Sequence, residues 1–413
     1  MKSFSIQSFG CRVNQAEAFQ WAEQLQKHGL SYEKNSVKSD VVLINTCTLT
    51  QRADRDVRQF LKRAARLNPS ARLLVTGCFA ERAAEELKDY PQVWKVVPNR
   101  KKEEIPDRVL TLLKPQQKVS GDTYRSRALI KIQDGCDLKC SFCIIPQVRG
   151  GCVSVPAADI FTRVKSCIEQ GYMEIVLTGI HICLYGRDFK PKTSLTGLLQ
   201  ALEAVKGLPR LRMSSLDPRF VSRALLERLG SSDKICSHFH FSLQHSADSV
   251  LKRMGRRTDQ EEYRQILAFL RKERPLASLG ADIMVGFPQE SDKDFRHLYS
   301  FLQQSPLTYF HVFPYSPRPG TPASAWPPVK GRVKKERSDI LRRLSQEKNL
   351  RFRRALVGQV FKAVVISRGQ PMSRVLTDNY LEVLVPDCKA DERALVNVRL
   401  DEAMDLKNRG QIV

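Results

Sequence analysis

The sequence predicts an α/β protein in three parts: an open parallel sheet, a second and longer run of strand–helix repeats, and a small all-β barrel. Three observations predict it. Short apolar runs alternate with amphipathic segments over the first hundred residues, the alternation restarts near Arg127, and after Gly358 strands follow one another without helices. The expected boundaries are 1–120, 121–350 and 351–413.

In the first part "SFSIQSFG", "DVVLINT" and "ARLLVTG" are strand-like, each followed by a helical segment: Gln15 to Gly29, Arg52 to Leu67, and "FAERAAEELKDY". Continuous apolar runs between helices read as buried parallel strands. In the second part "ALIKIQD", "EIVLTGI", "RLRMSSL", "HFHFSLQ", "LGADIMVGF" and "TYFHVFPY" are separated by helical stretches such as "EEYRQILAFLRKE". Six such repeats predict a partial (β/α)6 barrel whose working face is the carboxyl ends of its strands. A breaker-rich loop, "SPRPGTPASAWPP", leads into a basic helix, "VKKERSDILRRLSQEKNLRFRRAL". "QVFKAVVIS", "RVLTDNYLEVLVP" and "ALVNVRL" then read as the strands of the terminal barrel.

Composition narrows the class of function. Hydrophobic residues make up 42% of the 413-residue chain, enough for several ordinary cores, and no apolar run has the length of a membrane span. A cytoplasmic, soluble protein is expected. Lysine plus arginine exceed aspartate plus glutamate by 24, which favours a polyanionic partner, nucleic acid first. Eleven cysteines without a secretory signal argue for metal or redox chemistry over a disulfide framework.

Six of those cysteines are placed where chemistry is expected. Cys11, Cys47 and Cys78 each stand just past the end of a predicted parallel strand, so the topology should bring them together at one sheet edge. Cys136, Cys140 and Cys143 form a CxxxCxxC pattern in the loop after the first barrel strand. Three thiolates hold a cubane iron–sulfur cluster and leave one iron open, whereas a zinc ribbon needs a fourth ligand at short spacing. None follows, since Cys152 lies beyond Pro146 and the pair Gly150 and Gly151.

CxxxCxxC in the first loop of a βα barrel resembles the radical S-adenosylmethionine enzymes. The amino-terminal trio in "FGCRVNQAE", "NTC" and "TGC" resembles their methylthiotransferase family, and the likeness covers essentially the whole chain. "VLTGIH", "YGRD", "RMSSLDP", "SLQHSADSVLKRMGRR", "DIMVGFPQE" and "YSPRPGTPA" also match, and the terminal barrel is similar to the RNA-binding TRAM module. "FGCRVNQ" is most similar to the MtaB-type branch, which acts on threonylcarbamoyladenosine beside the tRNA anticodon. The isopentenyladenosine branch tends to "YGCQMN" and the ribosomal-protein branch to "LGCPKN".

The resemblance implies two 4Fe-4S clusters, one held by Cys136, Cys140 and Cys143, the other by Cys11, Cys47 and Cys78. S-adenosylmethionine would serve both as radical source and as methyl donor. It also implies a tRNA anticodon stem-loop, a reductant protein such as flavodoxin or ferredoxin, and a sulfur donor as partners, with no membrane. Thr178, Gly179, Ser215, Gln244 and Asp282 fall at the predicted rim and are candidate cofactor contacts, with Ser214, Asp217 and Gly286 beside them. His181 and Tyr185 are candidates for substrate contact. Cys167, Cys236 and Cys388 read as structural. The arginines of "LRFRRAL" with Phe352, Phe361 and Tyr380 supply residue types suited to RNA.

The sequence departs from the family where "RGGCVSVP" puts Cys152, Val153 and Val155 in place of basic residues, at Cys183 and Leu184, and at Gln289. Two alternatives stay open at this point. One is the same chemistry on isopentenyladenosine or on a ribosomal protein aspartate; the other is a zinc-stabilised RNA-binding protein without catalysis.

Overall fold

A computed structural model describes residues 2–34, 39–115, 124–256, 260–405 and 407–413. The expected boundary at 120/121 lies outside the described residues. The first part is a parallel sheet of β1 (Ser3–Ser8), β2 (Ser31–Tyr32), β3 (Val41–Thr46), β4 (Arg72–Gly77) and β5 (Val93–Val97), in the order β2-β1-β3-β4-β5. Both β3 and β4 are buried, as expected for strands covered on two faces. The flanking strands β2 and β5 escape the sequence reading: one is two residues long, and the other exposes Trp94 and Lys95.

The second part holds β6 (Ala128–Asp134), β7 (Val153–Ser154), β8 (Ile175–Gly179), β9 (Leu211–Met213), β10 (His238–Gln244), β11 (Ser278–Val285) and β12 (Tyr309–Pro314). Strands β6, β8 and β9 pair in parallel, as do β10, β11 and β12. Bridges Leu211–Ile235 and Leu216–Phe241 join the two groups into the expected six-stranded open barrel. β7 is a short antiparallel addition to the end of β6.

The helix Arg12–Lys27 crosses from the first part onto β6 and β8, where Ala16 packs on Leu129 and Val176. Its Phe19 is fully buried in the main core, worth roughly 1.5–3 kcal/mol relative to exposure. That packing anchors the loop carrying Cys11 to the barrel.

The third part is a closed barrel of β13 (Val360–Ser367), β14 (Met372–Thr377), β15 (Glu382–Pro386), β16 (Leu395–Ala403) and β17 (Asn408–Ile412). The run "RVLTDNYLEVLVP" is two strands, because Asp378 to Leu381 form a turn, and β17 was not expected from the sequence. Two aromatics proposed for RNA contact are in the protein interior or against it: Phe361 is buried in this barrel's core and Phe352 packs beside it. Arg353 is also structural, since its guanidinium donates to the Met404 and Asp405 carbonyls and to Asn408 Oδ1, whereas Arg351 and Arg354 are exposed. Among the described residues no helix is long and apolar enough to cross a membrane.

Glu174 docks this barrel on the second part. Its carboxylate is fully buried between Arg127, Arg210 and Arg212 at 3.1, 2.7 and 2.8 Å. Arg210 and Arg212 donate onward to the carbonyls of Lys362, Leu376, Thr377 and Asp378. Burial raises the Glu174 carboxyl, but the guanidiniums outweigh it and hold it far below the usual range. Its stabilising contribution is therefore present above the ordinary carboxylate pKa of about 4.3 and is lost only as pH falls through the depressed value. Glu174→Gln, which strands buried guanidiniums, should cost about 3–5 kcal/mol. Thermal melts at neutral pH and limited proteolysis at the junction check this; an unchanged melting temperature contradicts it.

Candidate active site

The three parts enclose a chamber of about 1260 Å³. Small-molecule pockets usually span roughly 300–1,000 Å³, so this one has room for a cofactor and a second planar group. Cys11 from the first part and Cys136, Cys140 and Cys143 from the second line it, as do Tyr380 and Asn408 of the terminal barrel.

The CxxxCxxC loop is pinned by its own backbone. Gly135 (φ 65°) makes the turn, and a side chain there would collide with the Gly151 carbonyl. Cys136 N donates to Gly150 O, Ser141 N to Met254 O, and Ser141 Oγ to Arg253 O. Burial, assisted by the neighbouring thiols, raises Cys136 and pushes Cys143 up to about 12. Buried thiols that disfavour one another's ionisation are stabilised as thiolates by metal charge, so this donor set fits a cluster.

The amino-terminal trio converges as the strand ends required. Gly10 (φ 87°) lies against Cys47, so closely that a Cβ would collide with the Cys47 side chain. Cys47 is pushed up to about 12 by burial first and then by Cys11 and Cys78, and Cys11 is raised by burial with Cys78 contributing. Cys78 packs on Ile144, the residue after Cys143, which brings the two trios close. The fit to a second cluster rests on the same chemistry of buried thiols whose ionisation their neighbours disfavour, here Cys11 and Cys47.

One arginine ties the trios together. Arg149 ends the short helix Ile145–Arg149 that follows the CxxxCxxC loop. Its guanidinium donates to Cys78 Sγ (3.2 Å), Asn14 Oδ1 (2.5 Å), Asp134 Oδ1 (2.7 Å) and Glu17 Oε1 (3.2 Å). Asn14 in turn donates to the Phe9 and Thr46 carbonyls at the ends of β1 and β3. Burial raises Glu17, yet Arg149, Lys102 and Lys131 hold it well below the usual carboxylate range. The sequence reading missed this network; the arginine before Gly150 in "VRGG" was its one local signal.

Thr178, Gly179, Ser215, Gln244 and Asp282 all line the chamber. Thr178 Oγ1, Ser214 Oγ and Gln244 Oε1 are buried polar atoms without hydrogen-bond partners among the described residues, a pattern suited to a polar ligand. Gln244 also sits in the left-handed region (φ 74°) at a bulge in β10, which turns its side chain out of the regular strand pattern. Asp282 is already engaged: its Oδ1 lies 3.1 Å from His240 Nε2 and 3.5 Å from His311 Nδ1. Burial raises its carboxyl, and the two imidazoles more than reverse that.

His181 and Asp217 also reach the chamber, with His181 Nε2 3.2 Å from Asp217 Oδ2. Asp217 orients Arg219 and Arg256, and Arg256 Nη1 lies 4.0 Å from Cys140 Sγ. Tyr185 does not line the chamber; it is buried and donates to the Val155 carbonyl. Gly286 is packed under Lys334. Cys152 lies in a side recess with Asp137 and Asp188, its sulfur accepting from Gln133 Nε2 at 3.3 Å, and Cys183 is a half-buried residue packed against the main core.

Comparison with known proteins agrees with this anatomy. The profile of the uncharacterized protein family UPF0004 matches residues 3–98, and that of the Radical SAM superfamily matches residues 130–302. The chain is 36% identical to the threonylcarbamoyladenosine tRNA methylthiotransferase MtaB of Aquifex aeolicus, over 92% of this chain and 95% of that protein. It is 32% identical to the Bacillus subtilis MtaB, over 100% and 97%. It is 31% identical to the tRNA-2-methylthio-N(6)-dimethylallyladenosine synthase of Pelotomaculum thermopropionicum, over 88% and 87%. In fold alone it is similar to the radical S-adenosylmethionine methyltransferase TsrM of Kitasatospora setae (TM-score 0.57, 14% identity, 78% and 77% covered). With a chamber fed by a CxxxCxxC loop and relatives matched along nearly the whole chain, this protein belongs to the MtaB-type radical S-adenosylmethionine methylthiotransferases, enzymes that use S-adenosylmethionine and a 4Fe-4S cluster.

Proposed function

We propose that this enzyme adds a methylthio group to carbon 2 of N6-threonylcarbamoyladenosine beside the anticodon of tRNA, working in the cytoplasm. The observation that carries the reading is that one chamber is lined by Cys11 of the amino-terminal trio together with Cys136, Cys140 and Cys143. The names of relatives matched along nearly the whole chain support this substrate.

In this reading Cys136, Cys140 and Cys143 would hold the radical-generating cluster and Cys11, Cys47 and Cys78 a second one, three thiolates to each. When bound, these groups supply an electron for cleaving a carbon–sulfur bond of S-adenosylmethionine and a seat for the sulfur to be transferred. The protein's own residues do the positioning. Thr178, Gly179, Ser215 and Gln244 receive the polar cofactor, with Gly179 permitting close approach. Arg149 and Asn14 fix the distance between the trios, and Asp217 aims Arg256 at the Cys140 end. Leu138, Phe142, Met284 and Phe313 in the chamber wall exclude water from reactive species. The net charge of +24 suits a tRNA partner. A reductant such as flavodoxin or ferredoxin and a sulfur donor complete the reaction.

Mass analysis of tRNA nucleosides and ribosomal proteins from a strain lacking the gene tests the reading. Loss of methylthiolated threonylcarbamoyladenosine alone supports it. Loss of the methylthiolated isopentenyl nucleoside, or of a methylthio-aspartate on a ribosomal protein, replaces it with that substrate.

A further inference from the structure

We propose that Arg12 and the Tyr380 hydroxyl form an anion site in the chamber wall that binds a carboxylate carried on the substituent of the target adenine, a role that rests on the substrate reading above. Arg12 immediately follows Cys11 and lines the chamber. Its Nη2 donates to Tyr380 Oη at 3.1 Å, and its guanidinium lies 5.3 Å from the ring centroid. Among the described residues no carboxylate stands within ion-pair distance of it.

Several other charges around the chamber are matched. Asp217 has Arg219 and Arg256, Asp282 has His240 and His311, and Glu382 has Arg374 at 3.6 Å. Two further guanidiniums face the Tyr380 ring, Arg127 at 5.8 Å and Arg212 at 4.9 Å, but both are committed to Glu174. Of the three guanidiniums at the Tyr380 ring, Arg12 is the one with no carboxylate partner among the described residues. Burial raises the Tyr380 phenol, and these three guanidiniums outweigh it and lower it, which reports a positive potential at the oxygen.

The phenol is held in place. Tyr380 occupies the left-handed region (φ 71°) in the turn between β14 and β15, and its ring stacks on His238 at 4.3 Å. Asn379 Nδ2 donates to the Leu276 carbonyl, fixing the turn against the second part. A residue without glycine's freedom keeps such a backbone only where its surroundings enforce it. With its oxygen accepting from Arg12, the hydroxyl proton remains for an acceptor in the chamber. A guanidinium and a hydroxyl donor side by side match a carboxylate, which only accepts. A hydrocarbon substituent there would bury the cation without a partner, so the site selects against it. Because Arg12 adjoins Cys11, a substituent anchored here presents its base beside the amino-terminal trio.

The test uses reconstituted holoenzyme and two synthetic anticodon stem-loops, one with threonylcarbamoyladenosine and one with its carboxylate capped as the primary amide. Wild type should prefer the free acid by roughly 10- to 100-fold in kcat/KM, chiefly through KM, the size expected for one charge-assisted contact. Arg12→Gln should reduce that preference towards one, Arg12→Lys should restore much of it, and Tyr380→Phe should lower it partway. The ratio is read within each variant, so a general loss of activity does not imitate the result. An undiminished preference in Arg12→Gln, or none in wild type that modifies both stem-loops, overturns the anion site and leaves the methylthio transfer intact. Wild type that modifies neither overturns the substrate reading and the anion site with it.

Discussion

Cys140→Ala should abolish formation of 5′-deoxyadenosine from S-adenosylmethionine and a chemical reductant, by well over the roughly 100-fold that bounds losses from residues supporting a metal ligand. The reason is numerical. In the proposed reading three thiols hold the cluster, and the loop offers no fourth to take over, since Cys152 is turned into a side recess where Gln133 donates to it. The backbone bonds that pin the loop, from Cys136 N to Gly150 O and from Ser141 N to Met254 O, do not involve the Cys140 side chain. The variant should therefore fold. Cys152→Ala is the contrast and should keep the activity; if it fails as Cys140→Ala does, Cys152 belongs to the ligand set and the three-thiol account is wrong.

Replacing Cys11, Cys47 and Cys78 together by alanine should halve the iron, from about eight to about four per chain with matching sulfide, and eliminate the methylthio product. The expectation comes from packing: Cys47 and Cys78 are buried and Cys11 half-buried, Cys11 and Cys78 add to the burial that raises Cys47, Cys78 does the same for Cys11, and Arg149 meets Cys78 from the barrel side. Buried thiols so arranged lose little when made small and apolar, so the fold should survive. About four irons in both proteins would make this trio structural and leave the enzyme without a seat for sulfur.

The strand-end cysteines were legible because the apolar runs preceding them are short, continuous and bounded by breakers, which fixes both strand and sheet type. The rim positions of Thr178, Gly179, Ser215 and Gln244 followed from the same periodicity. What joins them was not legible. Glu17 meets Lys102 and Arg149 across 85 and 132 residues, and nothing local in a charged residue names its partner. Asp282 is placed at the rim by the sequence, but its histidine partners sit on the strands on either side, where no local signal names them. From the sequence, Tyr380 is a residue type suited to RNA within one strand-like run; Asp378 and Asn379, both turn formers, are the signal that the run breaks there. Phe361 and Arg353 show the converse: residue types suited to RNA were used to build the terminal barrel and to join it to the basic helix.

The most direct measurement is mass analysis of nucleosides after reconstituted holoenzyme is incubated with undermodified tRNA, a reductant, a sulfur source and S-adenosylmethionine carrying an isotopically labelled methyl group. The account predicts that sulfur and labelled methyl arrive together on threonylcarbamoyladenosine, with 5′-deoxyadenosine formed alongside. Production of 5′-deoxyadenosine without any methylthiolated nucleoside, by wild-type protein containing its full iron, would contradict it.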